Sequence, residues 1–305
     1  MFYRLQHTTT YAYNGAVSLS HHLLRLRPRE LPGQKCLNSQ IHIEPRPDVL
    51  AGHRDYFGNA MTFVTIEGSH KKLVVTARSD VEVTASTPPA PDQTPPWELA
   101  RDVTPEGDMQ SYLPTREFVY DSPMIKKNLN FRDYAALSFS AGRPLLEAVL
   151  DLTSRMHGDF KFDTRATNIA TPLQEVFRKR RGVCQDFAHL QIGFLRSVGI
   201  AARYVSGYLE TEPPPGKPRL AGADASHAWI SFHCPGTGWI DVDPTNDVLV
   251  SNRHITLGWG RDYSDVSPIR GIIIGSGEHL MEVAVDVIPM PESSSFDTAL
   301  MAEGG

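Results

Sequence analysis

Cysteine, histidine and aspartate are the residue types from which a thiol nucleophile, its base and the group that orients the base are assembled. This chain offers them in succession within Arg181-Gly182-Val183-Cys184-Gln185-Asp186-Phe187-Ala188-His189-Leu190, Ser226-His227-Ala228-Trp229 and Trp239-Ile240-Asp241-Val242-Asp243-Pro244-Thr245. Cys184 stands two residues after a glycine and at the start of a run whose apolar residues, Phe187, Leu190, Phe194 and Val198, recur at helical spacing. A thiol becomes a good nucleophile as the thiolate, and the unpaired N–H groups and dipole of a helix N-terminus favour that anion. The same amides could hold a developing oxyanion, with the Cys184 N–H as one donor. The plainer alternative is a buried thiol that acts as a small hydrophobe.

The histidine and the aspartate fall on predicted strands. Alternation puts His227, Trp229, Ser231 and His233 on one face and the greasier set Ala228, Ile230, Phe232 and Cys234 on the other. His227 therefore faces away from the most apolar side, as a working base should. Pro235-Gly236-Thr237-Gly238 is a turn signal that joins the strands 227–234 and 238–243 into a hairpin. With the turn centred near Pro235, Asp243 falls opposite His227 and Asp241 falls level with Trp229, which favours Asp243 over Asp241 as the orienter. Gln185 reads as a helix-start polar residue with a possible substrate contact, and Trp229 either roofs the imidazole or touches substrate.

Several elements must position these groups. Leu145, Val149, Leu152 and Met156 form one face of a helix that starts near Pro144, and a second helix is expected from Thr171-Pro172-Leu173-Gln174, capped by Thr171, to Gly182. The Cys184 helix stops at Gly199. Strands follow at Ala201–Leu209, His227–Cys234 and Gly238–Val242, with a loop at Glu212–Pro218. Helices followed by an antiparallel sheet indicate an α+β domain. Before it, residues 1–85 read as short strands between turn signals, a sandwich-like all-β domain. The Pro-rich stretch 86–98 reads as an extended linker that does not pack. The remaining assignments are a catalytic domain over 99–290 and a disordered tail over 291–305.

At these residues the sequence resembles the transglutaminase-like superfamily. The resemblance is carried by Gly182–His189, by Gly199-Ile200-Ala201-Ala202-Arg203-Tyr204-Val205-Ser206-Gly207-Tyr208, by Ser226–Trp229 and by Asp243-Pro244-Thr245. His22–Arg29 and Asp55-Tyr56-Phe57-Gly58-Asn59 are similar to the N-terminal domain of bacterial transglutaminase-like proteins. Gly260–Val266 with Pro268-Ile269-Arg270-Gly271 is similar to the segment after their core. The resemblance implies a papain-like core, amide-bond chemistry through a thioester, a nucleophile at Cys184, a base at His227 and a third member at Asp243. It leaves hydrolysis and transfer to an amine both open, with hydrolysis preferred. It implies no cofactor and no metal, since no acidic loop with EF-hand spacing matches the calcium sites of the animal enzymes. Those enzymes use an upstream tryptophan as a second oxyanion donor; Trp97 is the nearest one upstream, and a backbone or polar donor is an equal alternative.

A metal site drawn from Cys184, His189, His227, His233 and Cys234 fits no common zinc spacing. His21-His22 lacks a third ligand at a recognisable distance. A non-catalytic peptide-binding module on the same fold is the alternative from another class. Charge excludes more: 30 basic and 35 acidic residues without long runs give a net −5, so neither nucleic acid nor an acidic membrane surface is an expected partner; a peptide or protein substrate is what the resemblance implies. No apolar run of signal-peptide or membrane-spanning character appears, and three scattered cysteines, Cys36, Cys184 and Cys234, fit a reducing, cytoplasmic setting. The sequence is silent on oligomeric state.

Overall fold

A computed structural model describes residues 1–84, 87–101, 115–211, 222, 226–275 and 277–291. The expected Glu212–Pro218 loop and all but the first residue of the expected tail lie outside these residues.

The helix that carries Cys184 is the centre of the larger unit. It spans Cys184–Ser197, and Val183 precedes it in extended conformation. Asp186, in the first turn, folds back so that Oδ2 accepts the Val183 N–H at 2.9 Å. A Cβ at Gly182 would meet that Oδ2 at 2.6 Å, so the residue before the N-cap must be glycine for the carboxylate to reach its place. At the other end Gly199, at φ +92°, takes the left-handed conformation that stops the helix. Phe187, Ala188, Leu190, Ile192, Phe194 and Leu195 are all at most 2% exposed. With Asp186, His189, Gln191 and Arg196 also buried, the helix is enclosed nearly all round, as a central element must be.

Among the described residues, counting from the N-terminus, the α-helices are α1 (Trp97–Arg101), α2 (Leu129–Ala136), α3 (Leu145–Asp159), α4 (Leu173–Lys179), α5 (Cys184–Ser197) and α6 (Tyr263–Val266). Leu145, Val149, Leu152 and Met156 of α3 are fully buried in the core that surrounds α5. Two expectations about α4 are corrected. It ends at Lys179, because Arg180 adopts φ +55° and its N–H closes on Val176, and the chain then pairs Arg181–Gly182 with Lys161–Phe162. Nor does Thr171 cap it: Pro172 occupies the N-cap, and the Thr171 hydroxyl accepts the Asn168 N–H instead.

Five antiparallel strands form the core sheet: β8 (Ala202–Leu209), β9 (Ser226–Cys234), β10 (Gly238–Asp243), β11 (Val248–Leu249) and β12 (His254–Gly260), in the order β11-β10-β9-β8-β12. Ala228, Ile230, Phe232 and Cys234 bury one face in the α5 core. The fold is α+β, a β-rich N-terminal region followed by a core of helices packed on an antiparallel sheet.

The N-terminal sheet is built on β1 (Phe2–Leu24), with β2 (Gln34–Glu44), β3 (Val49–Arg54), β4 (Ala60–Ile66) and β5 (His70–Val83). The first half of β1 pairs with β5 and its second half with β4. Val17, Leu24, Ile43, Val64, Ile66, Leu73 and Val75 from these strands share one core, so the sheet folds face to face in a sandwich-like way. The expected boundary at 290 is corrected. β13 (Ile269–Gly275) and β14 (His279–Met290) pair with β1, because β1 has an edge that β4 and β5 leave open. Residues 269–290 therefore belong to the N-terminal sheet.

The linker expectation changes as well. Thr94 is 5% exposed; its hydroxyl donates to the Pro91 carbonyl and accepts the Leu146 N–H, and the Pro95 carbonyl accepts the Leu145 N–H. The second half of the Pro-rich stretch is packed on the start of α3, where it satisfies orphan helix donors. A small apolar cluster joins the two units, with Tyr3, Leu5, Val285 and Val287 against Tyr208, Ile255 and Leu257. Among the described residues no helix is long and apolar enough to cross a membrane.

Candidate active site

Cys184 occupies the first helical position of α5, half buried against the core. The first intrahelical bond in this turn is from the Phe187 N–H to the Val183 carbonyl, so the amides ahead of Phe187 have no intrahelical acceptor. Asp186 has one oxygen committed twice, to the Val183 N–H and to the Thr167 hydroxyl at 2.6 Å; burial raises its pKa and these two bonds oppose the rise.

His227 lies at the start of β9 with its side chain 10% exposed. Its Nε2 donates to Asp243 Oδ2 at 2.7 Å, and the thiol of Cys184 lies near enough to the same ring to raise its pKa. With Nε2 engaged, Nδ1 is the nitrogen left for the thiol. Burial alone would lower the imidazole pKa, but the hydrogen bonds and charges of Asp243 and Cys184 outweigh it and push the value up to about 10.

Asp243 is fully buried and accepts five N–H donors. Oδ1 takes the backbone amides of Thr245 and Asn246 at 2.9 and 3.2 Å. Oδ2 takes His227, Asn246 Nδ2 at 2.6 Å and His254 Nε2 at 3.3 Å. Burial opposes its charge, yet the donors, His227 first, hold this carboxyl well below the usual carboxylate range. It stays ionised, as an orienter of imidazole must.

The hairpin register differs from the expectation. Gly238 pairs with Cys234 and Val242 with Ile230, so Asp243 falls level with Trp229 and lies diagonal to His227, not opposite it. The cause is a three-residue loop closed by the Thr237 N–H on the Cys234 carbonyl, with Gly238 at φ +94°. Asp243 still reaches His227 because diagonal neighbours on a sheet face are within reach of long side chains.

Asp241 is directed elsewhere: its Oδ2 accepts Trp229 Nε1 at 3.2 Å. Trp229 is fully buried, its ring centre 6.1 Å from that of His227 and 5.2 Å, edge-on, from that of His254. It backs the imidazole from within the fold, with no surface open to solvent. Gly207 makes this possible, since a Cβ there would collide with the Trp229 ring and the Ile255 carbonyl. Gln185 sits beside Cys184, half buried.

His254 and Asn246 went unseen in the sequence. Asn246 had a signal, because Asp-Pro-Thr-Asn is the pattern of an aspartate whose side chain turns back on the next amides. His254 had none; it arrives through the pairing of β12 with β8, on the far side of β9. The Ser251 N–H points at His254 Nδ1 at 3.3 Å, which leaves Nε2 as the protonated nitrogen facing Asp243.

Trp97 is not part of the site. Its Nε1 donates to the Ser140 carbonyl, and its neighbour Arg101 lies against Gly199, past the far end of α5. That end is about 20 Å from Cys184 at the rise of an α-helix. The weighed metal set is not assembled either: His189 accepts the Tyr263 N–H, His233 packs edge-on against Trp239, and Cys234 is buried in the core. Among the described residues, His227, Asp243 and His254 are the group whose donor atoms converge within 4.8 Å, and those atoms are engaged with one another.

A thiol beside an imidazole whose far nitrogen is fixed by a buried carboxylate is an arrangement suited to acyl transfer. Comparison with known proteins agrees in kind. Residues 3–82 match the bacterial transglutaminase-like N-terminal region and residues 134–244 the transglutaminase-like superfamily. The chain is 41% identical over 295 residues to the uncharacterized protein Rv2569c of Mycobacterium tuberculosis, covering 94% of this chain and 92% of that one. A 74-residue stretch, 24% of this chain and 11% of the other, is 39% identical to the protein-glutamine gamma-glutamyltransferase of Pseudomonas aeruginosa. A solved structure from Cytophaga hutchinsonii, described as a candidate cysteine protease, shares the fold with a TM-score of 0.73 at 19% identity, over 95% of this chain and 92% of that one.

Proposed function

The chain belongs to the transglutaminase-like superfamily, and on that premise we propose that it is a cysteine hydrolase that cleaves a peptide or glutamine-type amide through a thioester on Cys184. The observation that carries the proposal is the position of His227 between the Cys184 thiol and the Asp243 carboxylate.

In this reading His227 Nδ1 has already taken the thiol proton, and Cys184 attacks the carbonyl carbon as the thiolate of an ion pair with the imidazolium. The oxyanion forms against the Cys184 amide and its free neighbours at the start of α5. The imidazolium then gives its proton to the leaving amine, which departs and leaves the thioester. Asp243 remains charged throughout, fixing the ring and stabilising its cationic form. Water, activated by the neutral imidazole, releases the acid. Hydrolysis comes first because the thiol is partly exposed and water can reach it. Transfer to an amine is the second reading, favoured by the stretch shared with the Pseudomonas aeruginosa glutamyltransferase. A reducing, cytoplasmic setting, in which Cys184 stays free, completes the proposal.

The test is a panel of peptide and glutamine-amide substrates, with and without an amine acceptor, read by product analysis and by intact mass of the enzyme. An acyl adduct on Cys184 and turnover lost in Cys184→Ala are expected. Acid product with acceptor present supports hydrolysis, and amine conjugate supports transfer. Turnover retained in Cys184→Ala would overturn the proposal.

A further inference from the structure

The face of the core sheet turned away from α5 carries a second polar arrangement. Arg203 on β8 pairs with Ser231 on β9, and Ser231 with Asp241 on β10, so the three form a row across the strands. The Arg203 guanidinium lies between two indoles, its central carbon 4.1 Å from the Trp239 ring centre and 3.8 Å from that of Trp259. Arg203 is 8% exposed, and among the described residues its Nε has no hydrogen-bond partner, nor has the buried Ser231 hydroxyl. Asp241 acts on it through space, without an ion pair or a hydrogen bond among the described residues. Burial lowers its pKa to about 9, so it is a cation at neutral pH.

The other deeply buried arginine shows what this fold does when a guanidinium is structural. Arg196 is 1% exposed and donates to the carbonyls of Ala202, Tyr120 and Arg261 and to the Ser122 hydroxyl. Arg203 has no such set. A desolvated donor without an acceptor is unfavourable and calls for an occupant.

Space for one exists. Arg203, Trp239 and Trp259 line a cavity of about 550 Å³ that Gln34, Val83 and Pro88 close from the side of the N-terminal unit. That volume lies in the range of small-molecule sites. We propose that this cavity binds a carboxylate carried on an apolar stem, the carboxylate on the open edge of the Arg203 fork and the stem along Trp239 and Trp259. A guanidinium edge matches a carboxylate with two parallel bonds. Asp241, on the same wall, disfavours a doubly charged phosphate. The occupant would lie directly behind the triad, since Asp241 holds Trp229 and His254 lines the same cavity while it donates to Asp243.

The chemistry is shared by a free aliphatic acid and by the C-terminus of a peptide, and two pairs of probes separate them. The full chain is titrated at constant ionic strength with hexanoate or hexanamide, and with acetyl-Ala-Ala-Leu bearing a free or amidated C-terminus. Tryptophan fluorescence is the readout, because two of the four tryptophans line the site. A saturable change with one of the acids and none with its amide is expected, and the acid that responds names the source. Arg203→Met, with wild-type far-ultraviolet circular dichroism, should bind about tenfold or more weakly, as loss of a charge-assisted pair requires. Saturation by neither acid, equal binding of acid and amide, or wild-type affinity in Arg203→Met would overturn the proposal. Should Arg203→Met fail to fold, the acid and amide comparison on the wild type decides. Cys184→Ala binds as the wild type does, so this inference and the proposed reaction stand or fall separately.

Discussion

Replacing Asp243 by asparagine removes one charge and almost no volume, and the structure says which way the new amide can turn. Oδ1 faces two backbone N–H groups, and Oδ2 faces the N–H groups of His227, Asn246 and His254. Either orientation sets the amide NH2 against donors. With the NH2 toward His227, Nε2 must become an acceptor, the proton moves to Nδ1, and the ring can no longer take the thiol proton. With the NH2 toward Thr245 and Asn246, the turn that holds residue 243 loses two bonds. The lost interaction is a charge-assisted hydrogen bond at 2.7 Å, worth about 1.5–3 kcal/mol. At about 1.4 kcal/mol per tenfold change, Cys184 should react with iodoacetamide at neutral pH about 10- to 150-fold more slowly. Site-resolved mass spectrometry measures this, with the half-buried Cys36 as internal reference. His227→Ala should slow labelling at least as much, and Asp241→Asn, which keeps an acceptor for Trp229, should change it little. If Asp243→Asn labels within about twofold of the wild type while His227→Ala is slow, Asp243 does not orient the base, because a twofold change is only about 0.4 kcal/mol.

Other expectations follow from named contacts. His254→Ala should slow the same labelling about tenfold, the low end for a bond of 3.3 Å to a charged acceptor. His254→Gln, which can keep a donor toward Asp243, should recover part of that loss. Because the folded state holds the His227 proton up to about pH 10, its contribution to stability is full below pH 6.5 and is lost as pH rises toward 10. Urea denaturation should show the wild type losing more stability than His227→Gln between pH 6.5 and 9.5. His7, His22 and His189 behave oppositely: burial lowers each to about 4, so the unfolded chain binds protons first as pH falls. Each should remove about 1.4 kcal/mol of stability per pH unit between 6.5 and 4, visible as a steep acid limb in the same measurement. Gly207→Ala should destabilise the fold by about 3 kcal/mol, an overpacking cost, and should displace Trp229 from behind His227; a thermal melt within about a degree of wild type would refute the crowding.

The sequence revealed those parts of the site that depend on local pattern. The start of α5 followed from Gly182, the apolar stripe and Gly199, and strand alternation put His227 on the usable face. Asp243 was placed within reach of His227 from a register that was two residues out, because a shift of two keeps a side chain on the same face. A shift of one would have turned both aspartates to the other face. What stayed hidden depends on distant pairing. His254 lies on a strand whose neighbour is decided by sheet order, and Arg203 acquires its indole walls from β10 and β12 together. The C-terminal strands were assigned to the wrong unit for the same reason: Ile272-Ile273-Ile274 and Leu280–Ile288 read as strands, but nothing local says that their partner is residue 2 to 24.

That last pairing constrains the order in which the molecule can be made. During synthesis β14 follows β1 by some 260 residues, and until it is added that edge of the long strand has no β14 to pair with. The sheet is closed only by contacts of very high sequence separation, the kind that slows folding most. Until then a row of open backbone groups on β1 is a template on which another chain could pair.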